Sequence, residues 1–159
     1  MSSLLLVIDL QKGFVNEKTE YLVEKINHLI QRNLYDQIAF TRFINTPQSV
    51  LAKKRNYFGC MGEDNELVID AMNRKVFEKD IYSAYNDELK KYLETNQINK
   101  IYLCGVDTDA CVLKTAFDLF ENGYDVFVLK DYCASTGGEK LHQAALEILK
   151  RNIGEDQVG

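Results

Sequence analysis

The hydrophobic pattern alternates between short continuous apolar runs and stretches with helical spacing. Residues 3–9 form an unbroken apolar run closed by an acid, Asp9, as in a strand buried on both faces. Leu22, Val23, Ile26, Leu29 and Ile30 then recur at helical spacing and make a stripe that would cover a sheet. A second strand is predicted over residues 37–43 and a third near residues 74–77. A helix is expected from about Asn86, an N-cap residue type, with Leu89, Tyr92 and Leu93 turned inward. Residues 100–106 and 124–130 supply the fourth and fifth strands, and Leu141, Ala145, Ile148 and Leu149 mark one side of a last helix. Residues 44–64 hold the sole proline, two glycines and several aromatics with weak periodicity, so an irregular lid or pocket wall is expected there. The polar tail from residue 152 is expected to fray or to add a short edge strand.

Strands separated by helical segments predict one α/β domain over residues 1–159. Its expected architecture is a three-layer αβα sandwich, Rossmann-like, around a mainly parallel sheet of five or six strands. In such sheets ligands bind beyond the carboxyl ends of the strands. Asp9 is delivered at one such end. The fourth strand turns directly into a helix, marked by Val112, Ala116, Leu119 and Phe120, with Thr108 or Asp109 as the expected N-cap and Gly123 at C′. Cys111 falls in the first turn of that helix. Unpaired backbone N–H groups and the positive end of the helix dipole favour thiolate there, and the thiolate is the nucleophile. The competing reading is a buried cysteine that acts only as a small hydrophobe, so the chemistry depends on a base and a cation elsewhere in the chain.

Composition narrows the partners. With 159 residues, 46% hydrophobic and 27% charged, the chain is an ordinary soluble globule with enough length for a full core. A net charge of -5 argues against nucleic acid or an anionic membrane surface, and Lys53-Lys54-Arg55 reads as a solvated face. No apolar stretch approaches a membrane span, and the first residues lack a basic leader, so a cytoplasmic protein is expected. The four cysteines, Cys60, Cys104, Cys111 and Cys133, form no C-x-x-C pair, and with two histidines they give no structural zinc site. Reduced thiols follow, with Cys104 in the core. His28 reads as a surface or half-buried structural residue.

Three stretches taken together are specific where each alone is weak: LLLVIDLQKGF around Asp9, KDIYSAY beginning at Lys79, and CGVDTDACV around Cys111. In this order, each at a predicted strand end, they resemble the isochorismatase-like cysteine hydrolases, the superfamily that includes nicotinamidases and N-carbamoylsarcosine amidases. The segment His142-Gln143-Ala144-Ala145-Leu146 agrees with the same pattern. The resemblance implies a triad, with Cys111 as nucleophile, Asp9 as the base that takes its proton and Lys79 as the cation that holds the charge. It also implies a cis peptide joining Val106 to Asp107 and an oxyanion hole made by the backbone N–H groups of Asp107 and Cys111. The implied activity is hydrolysis of a small amide, ureido or carbamoyl C–N bond through a thioester, with a small-molecule substrate and a dimeric or tetrameric assembly. Two alternatives stand beside it: hydrolysis of an isochorismate-type vinyl ether, and a non-catalytic relative that binds a small ligand or a protein.

Two departures from the family pattern matter. Asp107 stands where the family usually has a small or apolar residue. Where nicotinamidases carry an Asp-x-His-x-His metal motif, this chain has Thr41-Arg42-Phe43-Ile44-Asn45, so no metal or other cofactor is expected. A Cys-x5-Arg phosphatase is excluded because Phe117 occupies the place of the arginine. Phe14, Tyr57, Phe58 and Tyr82 are candidates for the substrate pocket, against the plain alternative of core packing.

Overall fold

The structure, a computed structural model, describes residues 2–159. At its centre lies β1 (Ser2–Ile8), flanked by β2 (Gln37–Phe43) and then β3 (Lys75–Lys79) on one side. On the other side lie β4 (Ile98–Val106) and β5 (Asp125–Ala134), and every neighbouring pair is parallel. Successive side chains of β1 point to opposite faces, and both faces are covered. Leu4, Leu6 and Ile8 pack in a layer with α3 (Asp87–Thr95), α4 (Leu113–Glu121) and α5 (Glu139–Ile153), through Leu89, Ala116 and Leu149 among others. Leu5 and Val7 pack with Leu22, Ile26 and Leu29 of α1 (Tyr21–Gln31). Full burial of one such side chain contributes about 1.5–3 kcal/mol, which makes the unbroken apolar run of β1 the frame for the rest.

The expected three layers are therefore present, with local differences. The sheet has five strands; the tail forms a 3-10 turn and reaches β5 through a single bridge between Val158 and Val128, with Val158 buried. β3 begins at Lys75 and continues to Lys79, which puts Lys79 in the sheet. β5 continues to Ala134 beyond an irregularity in its register with β4. The stretch 44–64 contains a helix that its weak periodicity concealed, α2 (Val50–Arg55), too short to show a stripe. The Ser49 hydroxyl caps it by accepting from the Ala52 N–H at 3.1 Å, and Lys53, Lys54 and Arg55 sit at its negative end.

The strand order places a topological switch point at β1, whose carboxyl end faces the loops after β2 and β4. Gly105 makes the close approach of β4 to that end feasible. It pairs with Ile8 at φ 114°, and a Cβ there would collide with the Ile8 carbonyl. Among the described residues, no helix is long and apolar enough to cross a membrane.

Candidate active site

Three separate elements deliver the residues singled out by the sequence. Asp9 directly follows β1 in the left-handed region at φ 51°, Lys79 ends β3, and Cys111 lies in a π-helical turn, Thr108–Val112, between β4 and α4. Lys79 Nζ stands 2.8 Å from Asp9 Oδ2 and donates to Cys111 Sγ at 3.5 Å. It donates further to the Ile81 carbonyl at 3.0 Å and lies 5.4 Å from the centroid of the Phe43 ring. The side chains of Lys79 and Asp9 are only 2% and 0% exposed, so this is a desolvated ion pair whose Coulomb attraction is much less screened than at the surface. Asp9 is also tied from the other side: Thr41 Oγ1 donates to Asp9 Oδ1 at 2.7 Å and accepts from the Asp9 N–H at 3.1 Å.

Burial pushes the Cys111 thiol well above the ordinary thiol range, the neighbouring Asp9 charge adds to that, and the Lys79 ammonium opposes it. This overturns the thiolate expected from the helix terminus alone. Burial would lower Lys79, but Asp9 and Cys111 together hold it above its usual value, so the lysine stays cationic. The expected N-cap is overturned as well, because neither Thr108 nor Asp109 caps the helix. The Thr108 hydroxyl pairs instead with His142 Nδ1 at 2.7 Å, and Asp109 Oδ1 is buried without a hydrogen-bond partner. The Val106–Asp107 peptide is cis, and the Asp107 carbonyl accepts from the N–H groups of Ala110 and Val112, which closes the turn around Cys111.

A cavity of about 630 Å³ opens over this cluster, lined by Asp9 and Cys111 and, on its walls, by Phe14, Tyr57 and Tyr82. Phe58 does not belong to it. Tyr57 packs inward against Phe14 and Phe43, which sends its chain neighbour Phe58 outward to 59% exposure. Of the other thiols, Cys60, Cys104 and Cys133 are all buried, with Cys60 in the small cluster of Phe43 and Leu51 behind the cavity. His28 is exposed on α1 near Glu24.

Sequence reasoning missed several supporting residues. Gln11, fully buried, donates to the Phe43 and Asn65 carbonyls at 2.8 Å and accepts from the Phe43 N–H at 2.7 Å, joining the loop after β1 to the end of β2. Thr136 donates two hydrogen bonds to Asp107, from its backbone N–H at 2.8 Å and its hydroxyl at 2.7 Å. Thr41 carried a signal of sorts, a small hydroxyl residue inside an otherwise apolar strand. Arg55 gave none, since its basic run reads as solvated and yet it borders the cavity.

The residues at the place of the nicotinamidase metal motif do not suit a metal ion. Thr41 is engaged by Asp9, the Arg42 guanidinium is itself a cation bonded to Asn65, and Asn45 donates to the Tyr57 and Gly59 carbonyls. Among the described residues, no group of three or more His, Cys, Asp or Glu side chains is gathered as a metal ion would require.

Comparison with known proteins agrees with this architecture. The isochorismatase domain family model matches residues 3–156. A secreted isochorismatase effector, Isc1, of Phytophthora sojae is 30% identical over 138 residues, 85% of this chain and 63% of its own length. This chain thus spans less than two thirds of that relative. An isochorismatase-like hydrolase from Alkaliphilus metalliredigens superposes with a TM-score of 0.87 at 22% identity, covering 99% of this chain and 94% of the other. Nicotinamidase PncA of Bacillus subtilis does so with a TM-score of 0.80 at 24% identity, covering 96% and 97%. With the family model covering nearly the whole chain and the fold shared throughout, the protein belongs to the isochorismatase family.

Proposed function

We propose that this protein is a cysteine hydrolase that cleaves a small amide, ureido or carbamoyl C–N bond through a thioester on Cys111. The observation that carries this reading is the position of Lys79 Nζ, within 2.8 Å of Asp9 Oδ2 and 3.5 Å of Cys111 Sγ, beside a cavity sized for a small molecule. A protonated thiol needs a base, and Asp9 is the carboxylate at hand. As Sγ adds to the carbonyl carbon, Asp9 takes its proton and the carbonyl π electrons move to oxygen. The backbone N–H groups of Asp107 and Cys111 receive that oxyanion, a role in which one donor is worth about 2.7–4 kcal/mol.

Collapse of the intermediate re-forms the carbonyl and breaks the C–N bond, while Asp9 delivers its proton to the departing nitrogen. Ammonia or an amine leaves. Water then adds to the thioester with Asp9 as base, the acid product departs, and sulfur regains a proton. Throughout, Lys79 stays cationic and pairs with Asp9 whenever Asp9 is ionised, while the backbone N–H groups take up the charge when it sits on the oxyanion, so the desolvated site never holds an unpaired anion. Hydrolysis of an isochorismate-type vinyl ether would need the acid more than the sulfur. A panel of small amides, ureas and carbamoylated amines separates the two. The proposal expects at least one of them to release ammonia or amine with the native protein and not with Cys111→Ala. Hydrolysis of an isochorismate-type vinyl ether by both proteins, with nothing released from the panel, would overturn it.

A further inference from the structure

The cavity is acidic where it meets the turn that carries the nucleophile. Asp9, Asp107 and Asp109 all line it, and of these only Asp9 is matched by a buried cation, Lys79. Asp107 is half-buried, and its carboxylate oxygens accept from Thr136 N–H and Oγ1, which fixes the group and leaves each oxygen a free lone pair. Asp109 Oδ1 is buried with no partner. Two further cations border the cavity, Arg55 and Lys114, but both are exposed, and Lys114 is already paired with Asp118 at 2.6 Å. The same cavity is lined by the rings of Phe14 and Tyr57, which lie nearly parallel, 10° apart at 6.4 Å between centroids. Carboxylates and aromatic surfaces lining one cavity are the chemistry that recognises an organic cation.

We infer that the substrate carries a cationic nitrogen, an ammonium or guanidinium group, which Asp107 and Asp109 hold beside the carbonyl to be attacked. The carbonyl in this statement rests on the proposed function; the preference of the cavity for a cation does not. The environment of Asp107 agrees. Burial raises its carboxyl, the Thr136 hydrogen bonds counter this, and the charges of Asp109 and Asp9 raise it further, so a cation docked there relieves the crowding of negative charge. It also relieves the reaction. A carboxylate next to a forming oxyanion opposes it, and a substrate cation between them removes that opposition.

Binding of three probes of similar shape tests the inference without any turnover: benzylammonium, benzyl alcohol and benzoate, titrated calorimetrically at pH 7 into the native protein and into Asp107→Asn and Asp109→Asn. Benzylammonium is expected to bind at least tenfold tighter than benzyl alcohol, benzoate weakest, and the preference should shrink several-fold in either variant. Equal binding of the three, no binding of benzylammonium, or tightest binding of benzoate would overturn the inference; the last result would give the specificity to Arg55. The native ranking decides even where a variant fails to fold. Turnover separates the two claims. If the cation preference holds and no amide is cleaved, the proposed function fails alone. If neutral and anionic amides are cleaved as fast as cationic ones, the inference fails and the hydrolase reading stands.

Discussion

The Thr108 hydroxyl and His142 Nδ1 lie 2.7 Å apart, both side chains buried, and tie α5 to the π-helical turn that carries Cys111. Thr108→Val keeps the shape and removes the hydroxyl, leaving a buried imidazole nitrogen with no partner. Denaturant unfolding should show a loss of about 1–3 kcal/mol. Because Thr108 supports the turn that positions the sulfur and does not itself line the cavity, kcat should fall with KM little changed. Unchanged stability would mean that the contact is incidental.

Asp9→Asn removes the carboxylate charge and leaves Lys79 in place. Turnover should fall by about 10²–10⁴, the usual worth of a general base. The same change should speed iodoacetamide modification of Cys111 near neutral pH, because the Asp9 charge that raises the thiol is gone while the ammonium that lowers it remains. Loss of activity combined with a more reactive thiol is the signature. Slower alkylation alongside lost turnover would show that Asp9 acts only by holding the fold.

Buried thiols couple stability to alkaline pH. Burial lifts Cys133 to about 12 and Cys104 well above its ordinary value of 9.0. Both folded values lie above the unfolded one, so the folded state binds more protons between them. The stabilisation is complete below about pH 9 and is lost as pH rises toward the folded values, by about 1.4 kcal/mol per thiol per pH unit. Unfolding at pH 8 and pH 10 should therefore differ by roughly 3 kcal/mol from these two residues, and Cys133→Ala should reduce the difference.

The placement of Asp9 and Cys111 along one sheet edge was legible in the sequence because each follows an apolar run that reads as a buried strand, and parallel sheets gather strand ends along one edge, whereas their roles as base and nucleophile came from the family resemblance. Lys79 was legible only through its resemblance to a family motif. Its own run, 75–79, alternates too briefly to show that the strand reaches it. The ties between elements were not legible: Thr41 to Asp9, Thr136 to Asp107, and His142 to Thr108 cross separations of 32, 29 and 34 residues, and a hydroxyl in a sequence does not announce its partner. The sign of the Cys111 shift failed for a related reason. Local reasoning saw the helix terminus, while burial and the distant Asp9 decide the outcome. Phe58 shows the limit for aromatics, since two neighbours of similar character, Tyr57 and Phe58, go to opposite environments.

The most direct measurement is the mass of the peptide that contains Cys111, taken by acid quench while the protein turns over an amide of the panel. The account predicts an added acyl group on Cys111 that decays at the rate of turnover, and its loss together with all amide cleavage in Cys111→Ala. Amide cleavage at the native rate by Cys111→Ala, with no adduct on the native protein, would contradict it.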